Sequence, residues 1–208
     1  MSYLRKEARR AQILHGAIQF FAEEGLSGQT RELSVRLGIT QPLIYRYFPS
    51  KQHLLDAIFE ELFVKRWDPN WKHLMTDPAL PLEDRIARFY RDFDQAILSR
   101  EWVRLFIHSG LGGFKYNQMV FDRLMKDVFR PLCVELRKRH GYPPATPSKI
   151  TRHEIEMVWE LHGVVFYHRM RQHVYGLPVR TRIDELIRNL LFYLDGAAPR
   201  LLARLFQV

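Results

Sequence analysis

Apolar residues return every three or four positions along most of the chain, which places them on one face of successive helices. Arg9 to Glu24 carries Ile13, Ala17, Phe20 and Phe21 on such a face, and Gly25 ends it. Thr30 to Leu37 is short, with Leu33 and Leu37 in register and Val35 off the stripe. Gly38 can take positive φ and turn the chain sharply, and Ile39 plugs the turn. Thr40 has the chemistry of an N-cap, and Pro42 suits the first turn of a second short helix through Leu43–Tyr47. Phe48 precedes Pro49 and is driven out of the α region, which stops that helix. Ser50 caps a third, from Lys51 to about Arg66, with a wide stripe of Leu54, Leu55, Ile58, Phe59, Leu62 and Phe63.

Trp67-Asp68-Pro69-Asn70, then Pro78 and Pro81, interrupt the pattern. Helical spacing resumes in Glu83–Leu98 and Arg100–Leu111, and glycines 110, 112 and 113 follow. Asn117–Arg139 is periodic, with a kink or break predicted at Pro131. Gly141 to Ser148 holds three prolines and cannot be regular. Thr151–Tyr175 and Thr181–Ala197 complete the series, and no run reads as a strand. The predicted class is all-α. The predicted boundary lies inside the Lys51–Arg66 helix, giving domains 1–62 and 63–208.

Two short helices joined by a tight glycine turn form a helix-turn-helix, whose second helix can enter the DNA major groove. The same geometry also occurs in ordinary helical domains, so the polar residues matter. Leu43, Ile44 and Phe48 supply the buried side, leaving Gln41, Tyr45, Arg46 and Tyr47 on the other. Gln can pair with adenine and Arg with guanine. Tyr hydroxyls can bond phosphate oxygens. Lys51 is a cation in the first turn of a helix, where the macrodipole disfavours it unless a phosphate sits there too.

Ile13-Leu14, Ala17, Phe21-Ala22, Gly25, Gly38-Ile39-Thr40, Leu43 to Phe48 and Ser50-Lys51 resemble the N-terminal domain of the TetR family of transcriptional regulators. Tyr45-x-Tyr47-Phe48-x-Ser50-Lys51 is the most specific part, and the resemblance spans about a quarter of the chain. It implies a three-helix DNA-binding domain and a larger helical domain for ligand binding and dimerisation. The partners implied are a double-stranded palindromic operator, a second copy of the chain, and an unknown small-molecule effector of apolar character. Gln41, Pro42, Tyr45 and Arg46 would line the groove, with Tyr47 and Lys51 holding phosphate. The chain departs from the pattern at Ser34, usually Ala, and at Gln29, usually a capping Thr or Ser. Gln29 would then reach phosphate through its amide, and Glu32 stands where a capping-box acid would.

The formal net charge is +9, with 10 Lys/Arg and 7 Asp/Glu in residues 1–66 and 22 and 16 in the rest. The basic excess is therefore spread, and argues only for some affinity for polyanions. Arg5, Lys6, Arg9 and Arg10 lie in the first ten residues, ahead of and at the very start of the first helix, as a basic arm able to lie along phosphates or to stay solvated. Cys133 is the single cysteine, so no disulfide framework exists and a reducing cytoplasm fits. No apolar run has the length to cross a bilayer.

No nucleophile elbow, phosphate loop or dinucleotide fingerprint is present, so no enzyme, catalytic residue or cofactor is predicted. His162, His168 and His173 miss the i,i+4 spacing of helical metal ligands, so no metal is predicted. Ile155, Trp159, His162, Phe166, Arg169 and His173 form one face of a helix, and Gly163 permits close approach beside it. By the same resemblance, this helix and the next would pair with a two-fold mate. An effector site would draw on Trp102, Phe106, Phe114, Tyr116, Trp159, His162, Phe166, Tyr167 and Arg169. The reading is a ligand-responsive repressor. An architectural DNA-binding protein of the same fold, without an inducer, is the alternative.

Overall fold

The computed structural model describes residues 2–113 and 115–206. Every regular element among them is helical. The helices are α1 (Ser2–Glu24), α2 (Thr30–Arg36), α3 (Gln41–Tyr47), α4 (Lys51–Phe59), α5 (Asn70–Thr76), α6 (Leu82–Ala96), α7 (Arg100–Leu111), α8 (Tyr116–Leu124), α9 (Arg130–Arg139), α10 (Arg152–His173) and α11 (Ile183–Phe206). Among the described residues no helix is long and apolar enough to cross a membrane.

Backbone contacts divide the chain into two compact units. The first ends at Trp67 and takes in Ser99–Asn117; the second comprises Asp68–Leu98 and the chain from Gln118 onward. The connecting helix thus lies whole in the first unit, and α7 joins it there, whereas the sequence placed the boundary after residue 62.

In the first unit, Ile13, Ala17, Phe21, Leu33, Ile44, Phe48, Leu54 and Ile58 are buried, as their spacing predicted. Gly38 takes φ 62° and turns α2 into α3, and Gly25 takes φ 82° after α1. Gly25 has a second constraint: a Cβ there would lie 3.2 Å from Nδ1 of His108. Arg104 of α7 donates to the carbonyl of Ala22 at 2.6 Å, satisfying one of the last four carbonyls of α1. Ser50 caps α4 by accepting from the His53 amide at 3.2 Å. Thr40 stands at the N-cap of α3, but its side chain makes no capping bond.

The basic arm is not an arm. α1 begins at Ser2, because Leu, Arg, Lys, Glu and Ala are all good helix formers with nothing to break the run. The Lys51–Arg66 helix is regular only to Phe59 and continues as a π-helical turn, Glu60–Val64.

In the second unit α6 is buried along Leu82, Ile86, Phe89, Tyr90 and Phe93. The predicted break at Pro131 takes the form of a π-helical turn, Met125–Phe129, between α8 and α9. Pro131 has no N–H to donate and its ring crowds the carbonyl four residues back, so the ladder widens there. α5 was not predicted: Trp71 and Met75, four apart, bury its one face between two proline-marked breaks. α11 continues past Ala197 to Phe206 with Pro199 inside it.

Charges are also buried in this unit. Arg137 forks onto Glu154 at 2.6 and 2.8 Å. Arg85 donates to Glu135 at 2.9 Å and to the Met75 carbonyl at 2.8 Å. Arg169 makes two bonds to Asp94.

Candidate nucleic-acid interface

α2 and α3 are tied together at Thr30, a buried residue in the first turn of α2. Its hydroxyl accepts from the amide of Gln41 at 2.8 Å and lies 2.8 Å from the Tyr45 hydroxyl. Two polar side chains of α3 are thus held from behind by one hydroxyl. Gln41 keeps its carbonyl oxygen and one amide hydrogen for an outside partner. Thr30 was invisible as a functional candidate in the sequence, since only the fold brings it opposite Gln41 and Tyr45.

Ile44 and Phe48 are the buried side of α3, and Leu43 is half-exposed. Pro42, Tyr45 and Arg46 are exposed; Gln41 and Tyr47 are half-buried. Gln29 is exposed at the N-cap of α2, where its backbone N–H donates to the Glu32 carboxylate at 3.3 Å. This is the backbone half of the predicted capping box. Lys51 opens α4 with its ammonium 5.7 Å from the Phe21 ring. Burial pulls its pKa below the usual lysine value, with Tyr45 acting in the opposite sense. A half-desolvated cation in a first turn gains from any anion placed beside it.

The proposed effector residues fall into both units. In the first, Trp102 stacks on Phe63 and Phe106 at 4.8 and 4.7 Å between ring centroids. Tyr116 stacks on Phe59 at 3.7 Å; its hydroxyl donates to Asp56 at 2.5 Å and accepts from Gln52 at 2.6 Å. In the second, Trp159 and His162 pack with Phe129. Phe166 is half-buried and Tyr167 exposed. Phe114 lies outside the described residues.

The face Ile155, Trp159, His162, Phe166, Arg169, His173 differs from its expectation as a pairing surface. Ile155 and His162 are buried, and Arg169 is engaged by Asp94, so the stripe packs inside its own unit. The outward face of α10 carries Glu160, Gly163, Val164 and Tyr167 instead. Periodicity identified the two faces without saying which one the chain itself covers.

His162 sits among the rings of Tyr90, Phe93, Phe129 and Trp159 at 6.0, 5.5, 5.3 and 5.8 Å. Its Nδ1 has no hydrogen-bond partner. Burial pushes its pKa down to about 4. The unfolded chain therefore takes up a proton near pH 6.5 that the fold refuses, and stability falls as pH drops from 6.5 toward 4. By pH 5 the loss from this residue is about 2 kcal/mol. His162→Phe should flatten that window in urea unfolding at pH 7 and pH 5. An unchanged difference between the two pH values would show that another group carries it.

Residues 13–58 match the sequence family described as bacterial regulatory proteins, tetR family. Over this segment the chain matches the TetR family. The TetR match runs from α1 into α4 and so contains Thr30, Gln41, Tyr45 and Lys51. Tetracycline repressor protein class A from transposon 1721 of Escherichia coli is 33% identical over 107 residues, covering 47% of this chain and 44% of the repressor. The chain thus spans less than half the length of that curated relative. The HTH-type transcriptional regulator BetI of Burkholderia thailandensis is 25% identical over 149 residues, 67% of this chain and 72% of its own. A TetR-like transcriptional regulator from Rhodococcus sp. RHA1 superposes with a TM-score of 0.65 at 17% identity, over 91% of this chain and 96% of that one. At that identity the likeness is one of fold, and it extends through the helices beyond the TetR match.

Proposed function

We propose that the protein is a repressor that binds a palindromic operator as a dimer and is released by a small apolar molecule. The observation that carries the DNA-binding part is the helix-turn-helix within residues 13–58, with Gln41 and Tyr45 braced by Thr30 on the exposed side of α3. In this reading Gln41 reads a base edge, with Pro42 and Tyr45 beside it. Tyr47, Lys51 and Gln29 hold phosphate, which positions the helix without selecting sequence. Bracing a reading side chain lowers the ordering cost of each contact it makes.

Release follows from linkage. An effector that favours a conformer with poorly spaced recognition helices weakens operator binding by its own differential affinity for the two conformers. About 2.7 kcal/mol of coupling is a hundredfold loss of affinity. In this reading the effector site draws on His162 and Trp159 and the aromatic rings packed around them.

Selection from a randomised duplex pool tests the reading. The expected result is an inverted repeat with half-site centres one helical turn apart, about 34–36 Å, or a multiple of it. Recovery of a single asymmetric site, or of no enriched sequence, would overturn the palindrome or the DNA-binding reading respectively.

A further inference from the structure

The first two turns of α1 precede the segment that matches the family, which starts at residue 13. On this part of the helix, Arg5 and Arg9 are one turn apart, about 6 Å along the axis, with Lys6 beside them. They do not point into empty solvent. Together with Arg46 and Tyr47 of α3 they line an open groove of about 680 Å³. The lining residues include four cations and no carboxylate. Among the described residues none of these four cations has an acidic partner within salt-bridge distance. The neighbouring Arg10 guanidinium lies 4.8 Å over the Phe48 ring, which pins this stretch of α1 against the end of α3.

Four like charges facing one groove repel one another, and among the described residues no carboxylate lines the groove to neutralise them. The arrangement is complementary to a polyanionic strand, and one wall of the groove is the proposed recognition helix itself. We infer that this groove seats the sugar–phosphate backbone of one DNA strand, with Arg5, Lys6 and Arg9 as a phosphate-binding wall beyond the family's matched segment. Arg46 belongs to the same wall. Its role is then to hold phosphate, and base reading falls to Gln41. The inference rests on the DNA-binding reading and adds to it a second line of backbone contacts.

The test uses the full chain and two probes: the duplex recovered by wild-type selection and a random-sequence duplex. Each phosphate contact contributes about 0.9 to the slope of log K against log salt. The double variant Arg5→Gln/Arg9→Gln, measured on the dimer, should make the slope shallower by about 3–4 on both probes. A fresh selection with the variant should return the wild-type motif, as should one with Arg46→Ala. Gln is a good helix former and both arginines are exposed, so α1 should persist. A wild-type slope in the double variant, alongside a shallower one in Lys51→Ala, would overturn this inference and leave the DNA-binding reading standing. Loss of the motif in Arg46→Ala would return that residue to base reading and overturn its place in the wall. Wild-type protein that binds neither duplex would overturn both.

Discussion

Glu154→Ala is expected to destabilise the second unit by about 3–5 kcal/mol. Glu154 is fully buried, and its carboxylate takes both prongs of Arg137. It also accepts from the Thr151 amide at 2.9 Å and hydroxyl at 2.8 Å, while Thr151 accepts from the Glu154 amide at 3.3 Å. One side chain therefore closes the capping box of α10 and neutralises the guanidinium of α9. Truncating it leaves Arg137 buried without its counter-charge and frees the first turn of α10.

The pair is not a store of stability, because desolvating two charges offsets most of their attraction. Arg137→Met/Glu154→Leu should therefore recover much of the loss, leaving about the 0.5–2 kcal/mol of the lost cap. Denaturant unfolding of the single and double variants decides this. Burial raises the Glu154 pKa, but Arg137 and Thr151 more than offset that, and the carboxyl lies below its usual 4.5. Its folded value is depressed, so its contribution is present above pH 4.5 and disappears as pH falls through that folded value. Equal destabilisation of the single and double variants would mean that the cap, rather than the lost counter-charge of Arg137, dominates.

Val164→Arg is expected to separate the proposed dimer without unfolding the chain. Val164 is 45% exposed on the outward face of α10, and Tyr193 on α11 is 44% exposed. With Leu161, Leu186 and Leu190 they line an apolar groove of about 290 Å³. Phe192, elsewhere on the surface of α11, is 84% exposed. Gly163, next to Val164 in the chain, would meet nothing within 4 Å if it gained a Cβ, so its smallness serves no contact among the described residues. In the proposed two-fold pairing this face meets itself, so two Arg side chains are buried, one from each copy. A cost of about 3–5 kcal/mol raises the dimer dissociation constant roughly a hundred- to several-thousand-fold. Leu190 is a poorer probe: at 4% exposure it is core, so Leu190→Asp would test folding. Sedimentation showing an intact dimer of Val164→Arg at low concentration would move the interface elsewhere.

The fold class was legible because helical spacing holds through every long segment, and the helix-turn-helix because Gly38, Pro49 and Ser50 mark its turns. The π-helical turns were not, since a widened ladder leaves no compositional trace beyond Pro131. The Arg137–Glu154 pair was hidden because each residue, read in its own helix, resembles a solvated charge. In the wall, Arg5 and Lys6 were seen as basic but not as helical, with Arg9 at the predicted helix start: charge patterning suggested an arm, while local propensity won. In the effector set, periodicity grouped Trp159, His162 and Arg169 correctly on one face. It could not show that Asp94 occupies Arg169, or that Trp102 and Tyr116 are packed in the other unit.

The most direct test of the central claim compares Gln41→Ala with Lys51→Ala on a selected and a random duplex. If Gln41 reads a base, Gln41→Ala costs about 1–3 kcal/mol on the selected duplex and almost nothing on the random one. If Lys51 holds phosphate, Lys51→Ala weakens both alike. Equal losses for Gln41→Ala on both duplexes, with the wild-type motif retained in a new selection, would contradict the account.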